Sequence, residues 1–183
     1  ARQILYGSDY FDYGSSGLDP RKLGNLGFSG FRVMDGQDAP TDWLAFQGAS
    51  YFRSSGQDGQ YGASARGIAV DTGGPQPEEF PRFTQFWLEP HAGGITIFAL
   101  LDGPSVTGAY RFDAVKKHTV TIDVEARLFF RRDIARLGLA PLTSMYWYGE
   151  NQRDKAADWR PEIHDNDGLA LWTGAGERIW RPL

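Results

Sequence analysis

Three carboxylates and a histidine lie close together near the end of the chain, in a segment that begins with a tryptophan and contains a second one. Glu162, His164, Asp165 and Asp167 belong to WRPEIHDNDGLALWTG, residues 159–174. Carboxylates and imidazoles transfer protons in enzymes and also bind metal ions. The segment is therefore a candidate for a polar turn, a metal-binding loop or one side of an active site.

The spacing of the possible ligands disfavours a metal site. DNDG (165–168) begins like a calcium loop, but the glycine and glutamate that an EF-hand requires further on are not at the required positions. The three histidines, His91, His118 and His164, are far apart in sequence, and the chain contains no HExxH. We therefore expect neither a metal nor an organic cofactor.

Other common catalytic motifs are also absent. The chain has no cysteine, which excludes disulfides, thiolate nucleophiles and zinc–cysteine sites. GASARG (62–67) is not a nucleophile elbow, because Arg66 occupies the position of the second glycine. Neither a GxxxxGK[ST] phosphate loop nor a GxGxxG fingerprint is present.

Carboxylates and aromatic side chains remain, and this combination suits carbohydrate chemistry. A glycosidic bond is cleaved by two carboxyl groups, one acting as acid and the other as base or nucleophile. Sugar rings have apolar faces that stack on aromatic rings, and the chain has 6 tryptophans and 8 tyrosines. Aromatic residues also fill β-sheet cores, so this composition alone does not select the function.

Charge and hydrophobicity exclude two kinds of partner. The chain has 19 basic and 23 acidic residues, a net charge of −4 and no basic patch, which argues against binding to nucleic acid. No apolar run approaches ~18 residues, so we expect no membrane-spanning helix. ARQILYGSDYF (1–11) has no apolar signal-peptide core, so we expect that any export signal has been removed.

Strand patterns dominate the sequence and predict an all-β fold, a large antiparallel β-sandwich or a barrel. TVTIDVEARLFF (119–130) alternates apolar and polar residues, as in a half-buried strand, whereas 82–89 and 94–101 are apolar on both sides, as in strands covered on both faces. Further strands are predicted at 43–53, 64–72, 107–113, 143–149, 168–174 and 176–183. One short helix is predicted over DIARLGLAP (133–141), and polar loops are predicted at 14–27 and 53–62.

Seven motifs occur in order along the chain and together resemble one family, the periplasmic glucan biosynthesis proteins OpgG/OpgD (MdoG/MdoD). They are LGFSGFRV (26–33), GASYFRSSG with QYGASARGIAVDTG (48–73), EEFPRFTQFWLE (78–89), ALLDGPSVTGAYRF (99–112), LGLAPLTSMYWYGENQ (137–152), DWRPEIHDNDGL (158–169) and GERIWRPL (176–183).

The resemblance implies a location, a fold and an activity. Family members are periplasmic proteins needed to make osmoregulated periplasmic glucans, whose backbone is often β-1,2-linked glucose. Their N-terminal domain is a β-sandwich similar to galactose mutarotase, followed by an immunoglobulin-like domain. We therefore expect residues 1–183 to be an incomplete part of the N-terminal domain, without the immunoglobulin-like domain. The implied activity is that of an inverting endo-β-1,2-glucanase or a transglycosylase.

The resemblance also assigns a role to Asp165, which matches the general base. The matching acid lies beyond Leu183, so this chain is expected to contain half of the carboxylate pair. Two other functions stay open: a non-catalytic module that binds nascent glucan, and an epimerase, which the absence of a matching histidine–glutamate pair disfavours. A turn or strand cap is the structural alternative for Asp165.

The neighbours of Asp165 allow functional and structural interpretations. Asp167 either binds a sugar hydroxyl or makes an Asx turn before Gly168, and His164 either orients Asp165, donates to a sugar or is a satisfied structural histidine. Glu162 is expected to be exposed. Trp159 on its loop is a candidate sugar platform, whereas Trp172 and Trp180 occupy strand positions that favour core packing.

A second group of candidates lies earlier in the chain. Tyr51, Arg53 and Tyr61 flank a glycine-rich loop and are candidate substrate-binding residues. Arg66 is a further candidate, although pairing with a carboxylate is the expected alternative for a charge in an apolar strand. Glu78 and Glu79 are expected to be solvated and are fallback catalytic carboxylates. Side chains alternate along the strand predicted to contain Tyr146, Trp147 and Tyr148, so at most one face of this strand can contact a ligand.

Overall fold

Two antiparallel sheets and three two-stranded ribbons make up most of the molecule. The computed structural model describes residues 2–156 and 158–182. The five-stranded sheet has the order β1-β2-β3-β4-β11, and the four-stranded sheet has the order β6-β7-β8-β9. The strands of the first sheet are β1 Gly30–Met34, β2 Asp42–Gln47, β3 Tyr51–Ser54, β4 Ser64–Arg66 and β11 Leu142–Thr143. The strands of the second sheet are β6 Arg82–His91, β7 Gly94–Asp102, β8 Val106–Lys116 and β9 Val120–Phe130.

The ribbons pair β5 with β10, β12 with β13 and β14 with β15. Their bounds are β5 Ile68–Val70, β10 Leu137–Leu139, β12 Tyr146–Tyr148, β13 Ile163–His164, β14 Gly168–Trp172 and β15 Arg178–Pro182. Helical structure is limited, in the described residues, to α1 (Pro20–Leu23) and two 3₁₀ turns, Ser8–Tyr10 and Glu150–Lys155. All strand pairs are antiparallel, which confirms the predicted all-β antiparallel fold.

The two large sheets pack face to face around a core of aromatic rings. Phe46 of β2 lies 4.9 Å from Phe112 of β8 and 5.7 Å from Phe86 of β6, measured between ring centroids. Phe46 and Phe112 are 1% and 0% exposed. Edge-to-face contacts between rings of opposite sheets fix how the sheets lie on each other. The molecule is therefore sandwich-like, while the likeness to galactose mutarotase stays a prediction.

Alternation along the strands explains which residues enter this core. In β7, Ile95, Ile97, Ala99 and Leu101 are buried, and the residues between them point outward. The alternating face of β9 behaves as predicted in part: Val120, Ile122 and Leu128 pack against the core. Val124 and Phe130, on the same face, are 48% and 55% exposed.

The prediction that 82–89 and 94–101 are covered on both faces is wrong. β6 is mostly exposed, and the outward-facing Trp87 and Leu100 are 49% and 40% exposed. Their hydrophobicity therefore does not reflect burial among the described residues. The four-stranded sheet instead has one buried face and one apolar face that is partly open to solvent.

The predicted helix over 133–141 is also wrong. Leu137–Leu139 form β10 and pair with β5, whose three residues are fully or almost fully buried. Two hydrogen bonds of 2.8 Å secure the start of this pairing: the Asp71 amide donates to the Arg136 carbonyl, and the Arg136 amide donates to Asp71 Oδ1. Pairing with a buried strand outweighs a weak local helix preference.

Short turns interrupt three of the predicted strands. The strand predicted at 43–53 is divided into β2 and β3 by a turn in which Gly48 adopts a φ of 65°. The segments predicted at 64–72 and 143–149 are likewise each divided into two short strands. Within the predicted loop at 14–27, α1 begins after Asp19, whose carboxylate accepts a hydrogen bond from the Arg21 amide. No helix in the described part of the chain has the length and apolar character needed to cross a membrane.

Candidate functional site

Asp165 is the first residue after β13, and two hydrogen bonds fix it to the chain before β12. Its amide donates to the Met145 carbonyl at 2.9 Å, and the Met145 amide donates to Asp165 Oδ2 at 3.1 Å. The residue is nevertheless exposed to solvent. This exposed carboxylate on a fixed backbone lies at the end of a strand.

The Asp165 loop lies close to the free edge of the five-stranded sheet. Thr143 of β11 is paired with Ser64 of β4, and Met145 follows Thr143 by two residues. Two residues of chain span at most about 7 Å. The pairing of β11 with β4 therefore fixes the segment that contains Met145, and Met145 in turn fixes the position of the Asp165 carboxylate.

The contacts that the structure gives for the His164 ring are with Glu162, Asp167 and Tyr146. Nε2 of this ring lies 3.0 Å from Glu162 Oε2, and the ring stacks on Tyr146 at 6.0 Å between centroids. The hydrogen bond to Glu162 raises the pKa of His164 above its ordinary value. Nδ1 of His164 is buried and has no hydrogen-bond partner among the described residues, so the ring is not fully satisfied, and its roles of orienting Asp165 or donating to a sugar stay predictions.

The other polar residues of the segment are more exposed. The carboxylate of Glu162 is 41% exposed, as predicted, and that of Asp167 is 90% exposed. Asp167 Oδ1 lies 3.8 Å from Nδ1 of His164, the ring nitrogen that Glu162 does not contact. Trp159 is 89% exposed on the loop before β13, so its indole is open for contact with a ligand.

Burial along β12 does not follow the predicted alternation, because the register of its pairing with β13 is irregular between Tyr146 and Tyr148. Tyr148 is fully buried, and its hydroxyl donates to the Arg160 carbonyl at 3.0 Å. Tyr146 and Trp147 are 44% and 54% exposed. The Tyr146 hydroxyl donates to Gln152 at 3.1 Å, so this ring links the Glu150–Lys155 turn to the His164 side of the ribbon.

The expectation of core packing for Trp172 and Trp180 is wrong. These indoles are 72% and 57% exposed on the ribbon formed by β14 and β15. Periodicity predicted the strands correctly, but it could not show which face of the ribbon is covered. Both tryptophans lie on a face that the described part of the chain leaves open.

Arg66 forms the carboxylate pair that its apolar surroundings predicted. It is 4% exposed, and its Nη1 donates to Glu78 Oε1 at 2.6 Å. Its guanidinium also lies 5.3 Å from the Tyr51 ring centroid and 5.2 Å from that of Phe80. The contacts that Tyr51 and Arg66 were predicted to make with a sugar stay predictions.

Glu78 and Glu79 are not solvated, so that prediction is wrong. Burial raises the pKa of Glu78, but hydrogen bonds from Thr72 and Arg66 outweigh this effect and hold the pKa below its ordinary value. The Glu79 carboxylate accepts hydrogen bonds from the Ser105 amide at 2.9 Å and the Ser105 hydroxyl at 2.6 Å, and it pairs with Arg132 at 3.2 Å. Both glutamates connect segments of the sandwich, which argues against their use as fallback catalytic carboxylates.

Arg53 and Tyr61 belong to a polar cluster that also contains Asp42. The Arg53 guanidinium lies 4.4 Å from the Tyr61 ring centroid. The Tyr61 hydroxyl donates to the Asp42 carbonyl at 3.0 Å and to the Asp42 carboxylate. Burial, followed by the bond to Asp42, raises the pKa of Tyr61 to about 12. Sequence reasoning missed Asp42, because only the folding of β2 against the 55–61 loop brings it to Tyr61.

Asp42 also lines an open cleft of about 580 Å³, together with Ser55, Lys116 and His118. Asp165 is not among the residues that line this cleft. The predicted site residues therefore fall into three places: the Asp165 loop, the Arg66 pair and the Tyr61 cluster. In the part of the chain that the structure describes, no group of three or more histidine, aspartate or glutamate side chains is arranged to hold a metal ion.

The fold and the candidate site define an antiparallel all-β protein whose loop carboxylates and exposed indoles suit contact with a polyhydroxylated ligand. A family model described as "Periplasmic glucan biosynthesis protein, MdoG" matches residues 1–183. The chain therefore belongs to this family of periplasmic glucan biosynthesis proteins.

Individual relatives support the family assignment along the whole chain. It is 54% identical over 200 residues to glucans biosynthesis protein D 1 of Ralstonia nicotianae, with 100% of this chain and 37% of the relative covered. It is 54% identical to glucans biosynthesis protein D of Stenotrophomonas maltophilia and 55% identical to probable glucans biosynthesis protein D of Shewanella oneidensis, in both cases over 187 residues, 100% of this chain and 35% of the relative. The chain spans about a third of the length of these relatives.

Proposed function

We propose that this chain is part of the N-terminal glucan-processing β-sandwich of a periplasmic protein that acts on β-1,2-glucan. The reaction is inverting hydrolysis or glycosyl transfer, with Asp165 as the general base. Family membership supports the link to glucan biosynthesis and to the periplasm. The observation that carries the role of Asp165 is an exposed carboxylate whose backbone Met145 fixes at the end of a strand.

The position of Asp165 fits what a general base requires. Only Oδ2 of its carboxylate accepts a hydrogen bond from the residues that the structure describes. The carboxylate is thus held in place and can still accept a proton from a water molecule. An inverting enzyme places its acid about 6.5–9.5 Å away, across the sugar, and the two carboxyl groups need not be near in sequence.

The nearest carboxylates in sequence are poor candidates for the acid. Glu162 is hydrogen-bonded to His164, and Asp158 forms an ion pair with Arg160 that lowers its pKa to about 2. A general acid must be protonated before the reaction, so a lowered pKa disfavours Asp158. The acid is therefore expected outside these residues, in agreement with the position beyond Leu183 that the family resemblance implies.

The test is hydrolysis of linear β-1,2-glucan by the intact protein, followed through newly formed reducing ends. Asp165→Asn should lower the rate about 10²–10⁴-fold, because the amide cannot accept the proton. Asp167→Asn is the matched control: it removes an exposed carboxylate two residues away and should keep most of the activity. Equal rates for the Asp165→Asn variant and the unsubstituted protein would remove Asp165 from the mechanism.

A glucan-binding module without hydrolytic activity is the second candidate. The indole of Trp159, exposed on the loop that leads to β13, favours it, because a binder needs aromatic surfaces and no acid–base pair. The same assay separates the candidates. A protein that retains β-1,2-glucan but releases no reducing ends, and forms no new linkages, would be a binder.

A further inference from the structure

The turn at residues 165–167 joins β13 to β14, and it is anchored at both ends. At its start, the Asp165 amide donates to the Met145 carbonyl at 2.9 Å. At its end, Gly168 is the first residue of β14 and is paired with Pro182 of β15. The turn is therefore the covalent link between two ribbons, and its conformation determines how Asp165 is presented.

A buried imidazole lies directly before this turn. The side chain of His164, the last residue of β13, is 8% exposed. Its Nδ1 atom is buried and has no hydrogen-bond partner among the described residues. A buried polar atom without a partner destabilises the fold, so a nearby group that can satisfy it is favoured. Because solvent does not reach Nδ1, that group must come from the side chains around the ring.

The charged groups around His164 are two carboxylates. Glu162 Oε2 lies 3.0 Å from Nε2, and Asp167 Oδ1 lies 3.8 Å from Nδ1. The Tyr146 ring of β12 stacks on the imidazole, and its hydroxyl donates to Gln152 instead. The charges that act on the ring are those of Glu162 and Asp167, and both favour its protonated form.

Only the protonated ring can donate to both carboxylates. A neutral imidazole has one donor and one acceptor, so one nitrogen directs its lone pair at a carboxylate oxygen. The imidazolium ion has two donors. The distance from Nδ1 to Asp167 Oδ1 exceeds that of a normal hydrogen bond by about 1 Å. The Asp167 carboxylate is 90% exposed, so it can rotate toward Nδ1 without displacing a packed residue.

We propose that protonated His164 donates from Nδ1 to Asp167 Oδ1, which holds the turn at 165–167 closed, and that the turn opens when this proton is lost. The contact joins residues three apart and encloses Asp165 between them. The inference goes beyond the proposed function, because it concerns the order of the turn and not the reaction.

The direction of the pH dependence follows from the contacts of the ring. The hydrogen bond to Glu162, and then the charges of Glu162 and Asp167, raise the pKa of His164 above its ordinary value of 6.5. The closed turn is therefore fully present below that pH and is lost as the pH rises through the raised pKa.

Hydrogen exchange of the intact protein tests the turn, with the Asp165 amide as the probe. Its protection, relative to an unstructured chain at the same pH, should fall about fivefold between about pH 5 and about pH 9, which corresponds to the loss of one hydrogen bond of ~1 kcal/mol. Asp167→Ala has no acceptor and should show the lower protection at both pH values. Asp167→Asn keeps a carbonyl oxygen and should retain part of the difference.

An NMR titration of the histidine rings in the same protein identifies the group that responds. Asp167→Ala should lower the midpoint of the His164 titration, because one of its two carboxylates is removed. His91 is the internal control: its carboxylate contact is with Asp113, at 3.4 Å, so its midpoint should not change.

The outcomes are independent of the proposed function, because neither experiment measures a reaction. If Asp167→Ala leaves the His164 titration and the protection of the Asp165 amide unchanged, Asp167 is not the partner of Nδ1 and the proposal is overturned. Protection that does not vary with pH in the unsubstituted protein overturns it as well. The exposed position of Asp167 means that both variants should fold, which circular dichroism checks.

Discussion

The sandwich core and the ribbons near the Asp165 loop use aromatic residues in opposite ways. Between the sheets, Phe46 and Phe112 are buried and contact rings from the opposite sheet. On the β14–β15 ribbon, Trp172 and Trp180 lie on a surface that is mostly exposed. Aromatic residues alternate in both regions, but within the described residues only the first region has a second sheet that covers them. Burial by another element, rather than residue type, separates a structural aromatic from a candidate ligand contact.

Charged residues, like aromatic residues, are more buried in the sandwich than near the Asp165 loop. Arg66, Glu78 and Glu79 connect strands of the sandwich through hydrogen bonds that are largely shielded from water. Near Asp165, the carboxylates of Glu162 and Asp167 are much more exposed. Ionic contacts in the first region should therefore affect stability, and those in the second should mainly affect ionisation and ligand contact.

The largest expected effect is the loss of an aromatic ring from the core. Phe46→Ala should lower the free energy of unfolding by about 4 kcal/mol, because it removes ring contacts and leaves a cavity. Trp180→Ala, the matched change on the ribbon, should lower it by less than about 1 kcal/mol. Urea unfolding of both variants measures the difference. Equal losses would mean that the ribbon is as essential to the fold as the core, which contradicts the comparison.

The next effect concerns the buried charge of Arg66. Glu78→Ala should lower the free energy of unfolding by about 3 kcal/mol, because Arg66 stays buried without its ionic partner. Replacing Glu162, the exposed partner of His164, by alanine should change stability by less than about 1 kcal/mol. Thermal unfolding at constant pH tests this pair of variants. A smaller loss for Glu78→Ala than for Glu162→Ala would reverse the proposed roles of the two carboxylates.

The smallest effect is the pH dependence of the His164–Glu162 pair. Because the folded protein raises the pKa of His164 above its ordinary value of 6.5, the charged pair stabilises the ribbon fully below that pH. This contribution is lost as the pH rises through the raised pKa. An NMR titration of the His164 ring should show the raised value, and Glu162→Gln should shift it back down. An unchanged titration in that variant would show that Glu162 is not the cause.

The sequence predicted secondary structure well where one face of a strand is covered. It predicted secondary structure poorly where pairing with a segment far away in sequence determines the local conformation. The carboxylate pairing of Arg66 was correct, because a charge in an apolar strand needs a partner. The alternation of β9 was correct in part, since Val120, Ile122 and Leu128 pack against the core while Val124 and Phe130 are exposed. The helix predicted at 133–141 was wrong, since β5, far away in sequence, provides a strand partner for Leu137–Leu139. The same limitation applies to Glu79, whose partners Ser105 and Arg132 are also distant.

The site shows the same division between local pattern and tertiary contact. The position of Asp165 at the end of a strand could be predicted from the residues on either side of it. The contact of His164 with Glu162 joins residues two apart in sequence, but the stacking of its ring on Tyr146 depends on the pairing of β13 with β12. Asp42 could not be found in advance, because its contact with Tyr61 exists only once β2 and the 55–61 loop have folded together.

The sequence by itself determined the residue chemistry, the periodicity of most strands and, through its ordered motifs, membership of the glucan biosynthesis family. The tertiary structure alone decided which aromatic faces are covered, which carboxylates are held in ion pairs and which remain exposed. The physical reason is that strand alternation is a local property of the backbone. Burial and ion pairing instead require a partner that only long-range packing brings into place.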